Sequence, residues 1–265
     1  MSRTSRAAPP DAGERPALPT LVVPSHFNGP AGSANGGYVC GRLAGYLDDP
    51  ATVTLHRPPP LATPMTVEAD PAGSVRLGHA GAVVAEAVPA PDTPSLRVPD
   101  TVSLPEARAV AGRARYFDDV VFPTCFVCGP ARRPGDGLRI FPGPVSGRAL
   151  WAAPWTPNPS LADGTRGVPP EIVWAALDCP SGIAAAEATD LGEHAAIVLG
   201  RMTARVAVLP AAGDDYTVIS WPTGRDGRKL TAGSALLSRG GEVLAAARTV
   251  WLTVPRRGSA VREGS

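Results

Sequence analysis

The sequence predicts an α+β chain made of two similar halves, each running from one helix into a series of antiparallel strands. Three observations predict it. A stretch at about 89–105 carries a proline every few residues and divides the chain. The order helix-then-strands occurs on both sides of it. A short pattern, G-x-V-x-A-x-A, occurs at Gly81, Val83, Ala85 and Ala87 and again at Gly241, Val243, Ala245 and Ala247, which reads as duplication.

The elements follow in order. Residues 1–18 and 257–265 are rich in Pro, Ala, Arg, Gly and Ser without apolar periodicity, and are expected to be disordered tails. Between them lie a first module at 19–98, a linker at 99–122 and a second module at 123–256. The first helix is expected over 34–47, where Val39, Leu43 and Leu47 recur at four-residue spacing beside Tyr46. Ser33 or Asn35 can cap its start, and Asp48, Asp49 and Pro50 are expected to end it. The second begins at Pro169 and Pro170, with Glu171 favoured at the positive end of its dipole and Ile172, Ala176 and Ile183 along one side. Pro180 has no N–H for the carbonyl of Ala176, so this helix is expected to kink or break just after Asp178.

Strands are expected at 52–57, 64–70, 74–79 and 82–88 in the first half, and at 199–210, 216–222, 229–238 and 242–254 in the second. Residues 201–208 alternate. Met202, Ala204, Val206 and Val208 form one face, with Arg201, Thr203 and Arg205 on the other, as in a half-buried antiparallel strand. GHAG, GRDG and SRGGE are short enough for hairpin turns.

Composition excludes several classes. At a net charge of +1, with 18% charged residues, the chain lacks the basic excess of a nucleic-acid binder. No stretch has the roughly 18 apolar residues of a membrane span. The N-terminal arginines have no apolar core behind them, so no secretory signal is read there and a cytoplasmic location is expected. Four cysteines in 265 residues do not make a disulfide framework.

Three constellations carry chemistry. Asn35, Gly36 and Gly37 open the first helix, where free N–H groups favour developing negative charge and glycines let a ligand approach. The plainer alternative is that the glycines serve a tight turn or close packing. Asp178 stands on an apolar helix one turn from Trp174. Apolar surroundings raise a carboxyl pKa and suit a general base or nucleophile; a capping or hydrogen-bonding Asp is the alternative. The third is Cys125-Phe-Val-Cys128-Gly-Pro. Zinc needs about four ligands, and no second pair exists in the sequence, with Cys40 and Cys179 isolated on the two helices. A redox pair would stand at the start of a helix, not at a glycine turn. No metal and no cofactor are therefore expected. Cys179 reads as a buried structural thiol, since His194 and the other histidines stand in no motif-like relation to it.

CFVCGP, then GDGLRIF, then a helix carrying Leu-Asp resembles the leading segment of bacterial hotdog thioesterases of the phenylacetate-pathway type. Those open with a cysteine–glycine–proline turn and a Gly-Leu strand, followed by a helix headed His-Gly-Gly with an acid about two turns on. The resemblance covers about 21–88 and 123–254. It implies a double hotdog of class α+β, two long helices each wrapped by a curved antiparallel sheet. In that family a glycine amide polarises the thioester carbonyl, and the acid activates water or attacks directly.

The chain departs from this pattern in both halves. The second helix keeps the acid, Asp178, but has Pro-Glu where the glycine pair should stand. The first keeps Gly36 and Gly37 but has Ala44 in the acid's place, and Asn35 where His is common. Hotdog sites lie between two subunits, so the resemblance implies one composite site, with Gly36 and Gly37 from one half and Asp178 from the other. The expected function is hydrolysis of an acyl-CoA or acyl-carrier thioester, with the Gly37 amide on the carbonyl oxygen, 5–8 Å from Asp178 across a cleft. Trp174 and Tyr38 are expected beside the acyl chain, and Arg201, Arg205, Arg228 or Lys229 at the CoA phosphates. The alternatives are a non-catalytic acyl-ligand binder and an enoyl hydratase or dehydratase. No nucleic acid or membrane partner is expected, and a homodimer is an assembly such pairs form.

Overall fold

The computed structural model describes residues 20–47, 50–91, 97–162, 167–189, 191 and 195–256. The expected tails, His194 and the Asp48–Asp49 pair lie outside them. Among the described residues, the strands form one ten-stranded sheet. In sequence they are β1 (Ala51–Leu55), β2 (Thr66–Ala69), β3 (Val75–His79), β4 (Ala82–Pro89), β5 (Gly143–Pro144), β6 (Trp151–Trp155), β7 (Ala195–Val206), β8 (Tyr216–Asp226), β9 (Lys229–Leu237) and β10 (Val243–Pro255). Their order across the sheet is β2-β3-β4-β1-β7-β10-β9-β8-β6-β5, with every described pairing antiparallel. Strands from the first half therefore occupy one end and strands from the second half the other. They meet where β1 pairs with β7, Val53 opposite Met202.

The hairpins follow from local chemistry. Ala80 and Gly81 take φ of 49° and 75° between β3 and β4, and Gly241 takes 86° just before β10, in the left-handed region that glycine enters freely. The two repeat patterns therefore begin with turn glycines in equivalent roles. On β7, Met202 and Ala204 are buried and Arg201 and Arg205 exposed, as the alternation predicts. Val208 is a correction: β7 ends at Val206, and Val208 lies beyond it at 54% exposure.

Two long-separated helices occupy the covered face. Helix α1 (Gly36–Ala44) starts at Asn35, whose side chain accepts from the Tyr38 N–H at 2.9 Å; Ser33 instead donates towards the carbonyl of Pro59. It ends earlier than expected, with Gly45 as its C-cap, and Tyr46 and Leu47 pack on the core from beyond it. The segment 99–122 is more structured than an extended linker. It holds α2 (Leu104–Val110), whose Ser103 and Glu106 form a reciprocal capping box. Leu104 is buried, and Val102 and Ala107 bury against Val145, Leu150, Ala152 and Trp221 as a second, smaller core.

Helix α3 (Pro170–Glu187) is continuous through Pro180, without the expected break. Hydroxyls reinforce the carbonyls next to the missing N–H. Ser234 donates to Leu177 O and Ser181 to Asp178 O, each at 2.7 Å. Ser181 in turn accepts from Thr249 and from the Trp251 indole, which packs on Gly182. A proline costs a helix least where other donors occupy its surroundings, and here they belong to β9, β10 and the helix itself.

Candidate active site at the contact of two helices

The closest approach between α1 and α3 is built on glycine. A Cβ added at Gly37 would lie 2.5 Å from Asp178 Cβ and 2.8 Å from the Trp174 carbonyl. One at Gly41 would lie 2.5 Å from Glu171 Cα. Gly37 and Gly41 are four residues apart, so both face α3 and let its backbone come close. Because of that closeness, the Gly37 N–H donates to Asp178 Oδ2 at 2.9 Å, and Asn35 Nδ2 donates to the same oxygen at 3.0 Å.

The composite pairing expected from the sequence therefore exists, but in a closed form. Gly37 and Asp178 are in direct contact, without the 5–8 Å gap expected for a thioester between them. The physical reason is Gly37 and Gly41, which carry no side chains to hold the two helices apart. Gly37 packs closely against α3, as the plainer alternative for it expects. Gly36 differs: it is half-buried, and its N–H has no acceptor among the described residues.

Asp178 is 2% exposed. Burial pushes its carboxyl up to about 7, against the lowering effects of the bonds from Gly37 and Asn35; the nearby Cys125 raises it further. Oδ2 carries both hydrogen bonds, and Oδ1 has no partner among the described residues. A buried carboxylate oxygen without a donor is costly and chemically available, which is the property of a base or nucleophile. The Asn35 side chain holds the site together, capping α1 through Oδ1 and gripping Asp178 through Nδ2.

Other expected participants are placed differently. Trp174 is 3% exposed and packs against Gly41, so it belongs to the helix contact. Tyr38 is 4% exposed, stacks on Phe27 at 4.0 Å between ring centroids and accepts from Arg42 at 3.2 Å. Both are core side chains. Arg201 and Arg205 point from β7 to the face opposite Met202 and Ala204, and Arg201 donates to Thr54 of β1. Arg228 and Lys229 sit at the exposed turn between β8 and β9. None of these four is brought to Asp178.

What spacing along the chain concealed is a sulfur cluster. Cys179 is not isolated: its Sγ lies 3.6 Å from that of Cys125, and the sulfurs of Cys125, Cys128 and Cys179 all fall within 4.8 Å of one another. Residues 125–128 fold back onto α3 because the Phe126 N–H donates to Asn28 and the Leu138 and Ile140 N–H groups donate to Phe126 and Val127. The Gly-Leu segment expected as a strand is this supporting stretch; it joins no ladder of the sheet. The signal available in the sequence was only that Cys179 follows the acid directly.

Neither a protein-family model nor a curated protein matches the chain. Solved structures do. A conserved protein of unknown function with a hotdog fold from Alicyclobacillus acidocaldarius superposes with a TM-score of 0.57 at 15% identity, over 87% of this chain and 90% of that one. The TesB protein of Mycobacterium avium subsp. paratuberculosis gives 0.55 at 14%, over 91% and 95%. A putative thioesterase II from Thermobifida fusca gives 0.53 at 13%, over 84% and 87%. An antiparallel sheet wrapped about buried helices, shared over nearly the full length of these chains, defines the class. The fold is the hotdog fold.

Proposed function

We propose that the chain is a double hotdog, with modules at 19–98 and 123–256 joined through 99–122, acting as a thioesterase-like hydrolase of acyl-CoA or acyl-carrier thioesters. The duplication is supported by the equivalent turn glycines before β4 and β10 and by the separate ends of the sheet that the two halves occupy. The activity is supported by hotdog relatives described as TesB and thioesterase II proteins, and by the site where α1 and α3 meet.

One observation carries the reading: Asp178 is buried, with Oδ2 anchored by Gly37 and Asn35 and Oδ1 left without a partner among the described residues. In this mechanism Oδ1 takes a proton from water as the water oxygen attacks the thioester carbon. The tetrahedral intermediate then collapses, the carbon–sulfur bond breaks, and the thiolate leaves and takes up a proton. Gly37 orients the acid rather than polarising the substrate, since its N–H is already donated. The Gly36 N–H at the start of α1, without an acceptor among the described residues, would serve as the donor to the carbonyl oxygen.

A second reading, an acyl-ligand binder without turnover, is favoured by one specific observation. The Gly37–Asp178 contact closes the gap in which a thioester would react. Calorimetric binding of a panel of acyl-CoAs, run beside chromatographic measurement of released CoA, separates the two. Release of CoA supports hydrolysis; saturable binding with intact thioester supports the binder.

A further inference from the structure

The loop 125–129 has the form of a metal-binding knuckle. Gly129 N–H donates to Cys125 O at 2.9 Å, closing the turn, and a Cβ at Gly129 would lie 2.5 Å from both N and O of Cys125. Only glycine fits. A third sulfur then arrives from a different element, Cys179 on α3.

The geometry suits a thiophilic cation. Zinc–thiolate bonds of about 2.3 Å at tetrahedral angles place sulfurs about 3.8 Å apart. The Cys125–Cys179 separation is 3.6 Å, and all three sulfurs lie within 4.8 Å of one another. Cys125 and Cys128 are 2% and 3% exposed, while Cys179 is half-buried and gives the cluster an edge toward the outside. The supporting polar groups are also present. Asn35 Nδ2 lies 3.8 Å from Cys179 Sγ, and Tyr116 Oη lies 3.8 Å from Cys128 Sγ.

We propose that Cys125, Cys128 and Cys179 bind a zinc ion as a three-thiolate site. Coordination releases the three thiol protons and forms three zinc–sulfur bonds, leaving a fourth position for water or another small ligand. Zinc is favoured over calcium or magnesium because all three donors are soft sulfur. The ion would tie the 125–129 loop to α3 beside Asp178. This inference does not rest on the hydrolase reading, since its readout is metal content.

The test uses the full chain, purified under reducing conditions. Elemental analysis should find stoichiometric zinc, and replacement by cobalt(II) should give the intense visible bands of a tetrahedral thiolate complex. Cys179→Ser should lose that spectrum and the stoichiometric zinc. Cys40→Ser, which alters the thiol outside the cluster, should keep both, and thermal melting should show both variants folded. If Cys179→Ser fails to fold, the wild-type cobalt titration decides alone. Protein that takes up neither zinc nor cobalt would overturn the proposal, as would uptake unchanged by Cys179→Ser. A Cys125–Cys179 disulfide that persists in reductant would overturn it equally.

Discussion

Gly37 donates its backbone N–H to Asp178, 141 residues further along the chain, across the contact of two helices. The bond needs three things at once: a glycine without a side chain to separate the helices, an Asn cap that fixes the first turn of α1, and an acid held deep enough to lose its hydration. Each can be changed separately.

Gly37→Ala puts a methyl 2.5 Å from Asp178 Cβ and 2.8 Å from a carbonyl oxygen, where neither neighbour can yield easily. Overpacking of this kind costs about 1–3 kcal/mol. Gly36→Ala meets the Leu199 and Leu55 side chains at 2.9 and 3.1 Å, which are flexible and can move. Urea unfolding should therefore rank Gly37→Ala well below Gly36→Ala in stability, although both improve helix propensity.

Asn35→Ala removes the cap of α1 and one of the two donors to Asp178 Oδ2. A lost cap costs about 1–2 kcal/mol. Equilibrium unfolding should show a loss of that order, and Asn35→Ser, which restores the cap alone, should recover only part of it.

Asp178→Asn should stabilise the fold while removing its chemistry. The folded carboxyl is held at about 7, above its usual 3.8, so folding stabilises the protonated form. That penalty on folding is absent below about pH 4, grows as pH rises and is complete above about pH 7. The variant should melt higher than the wild type at pH 8, by roughly 1–3 kcal/mol, and the gain should shrink at pH 5. The figure lies below the full linkage energy because an amide nitrogen in the Oδ1 position finds no acceptor.

Ser181→Ala leaves the Asp178 carbonyl without its side-chain donor, and leaves Thr249 and the Trp251 indole sharing what remains. A buried network broken at its centre costs about 1–3 kcal/mol. Thermal melting should fall accordingly, and hydrogen exchange of α3 should rise most around Pro180.

Much of this architecture was legible from pattern. Alternation on β7 identified its buried face, the glycine turns marked the hairpins, and the apolar stripe of Val39 and Leu43 placed α1. The segment around α2 was not, because its many prolines conceal a seven-residue helix whose capping box is the main local signal. The continuity of α3 was missed for a tertiary reason. The hydroxyls that support Pro180's surroundings include Ser234 of β9, a residue 54 positions away from it. At the site, residue types singled out Asn35, Gly36, Gly37 and Asp178, and the fold brings them together. Their spacing could not reveal that the glycines would close the gap, nor that Cys179 would meet Cys125. Exposed arginines carry no signal of which sheet face they occupy until the strand register is known.

The most direct test of the central claim is the rate of CoA release from a panel of acyl-CoAs by the wild type and by Asp178→Asn, with folding of both checked by melting. The account predicts turnover by the wild type on at least part of the panel and a loss of about 100-fold or more in kcat in the variant, as expected when a general base is removed. Turnover that survives the substitution in a folded protein would contradict it.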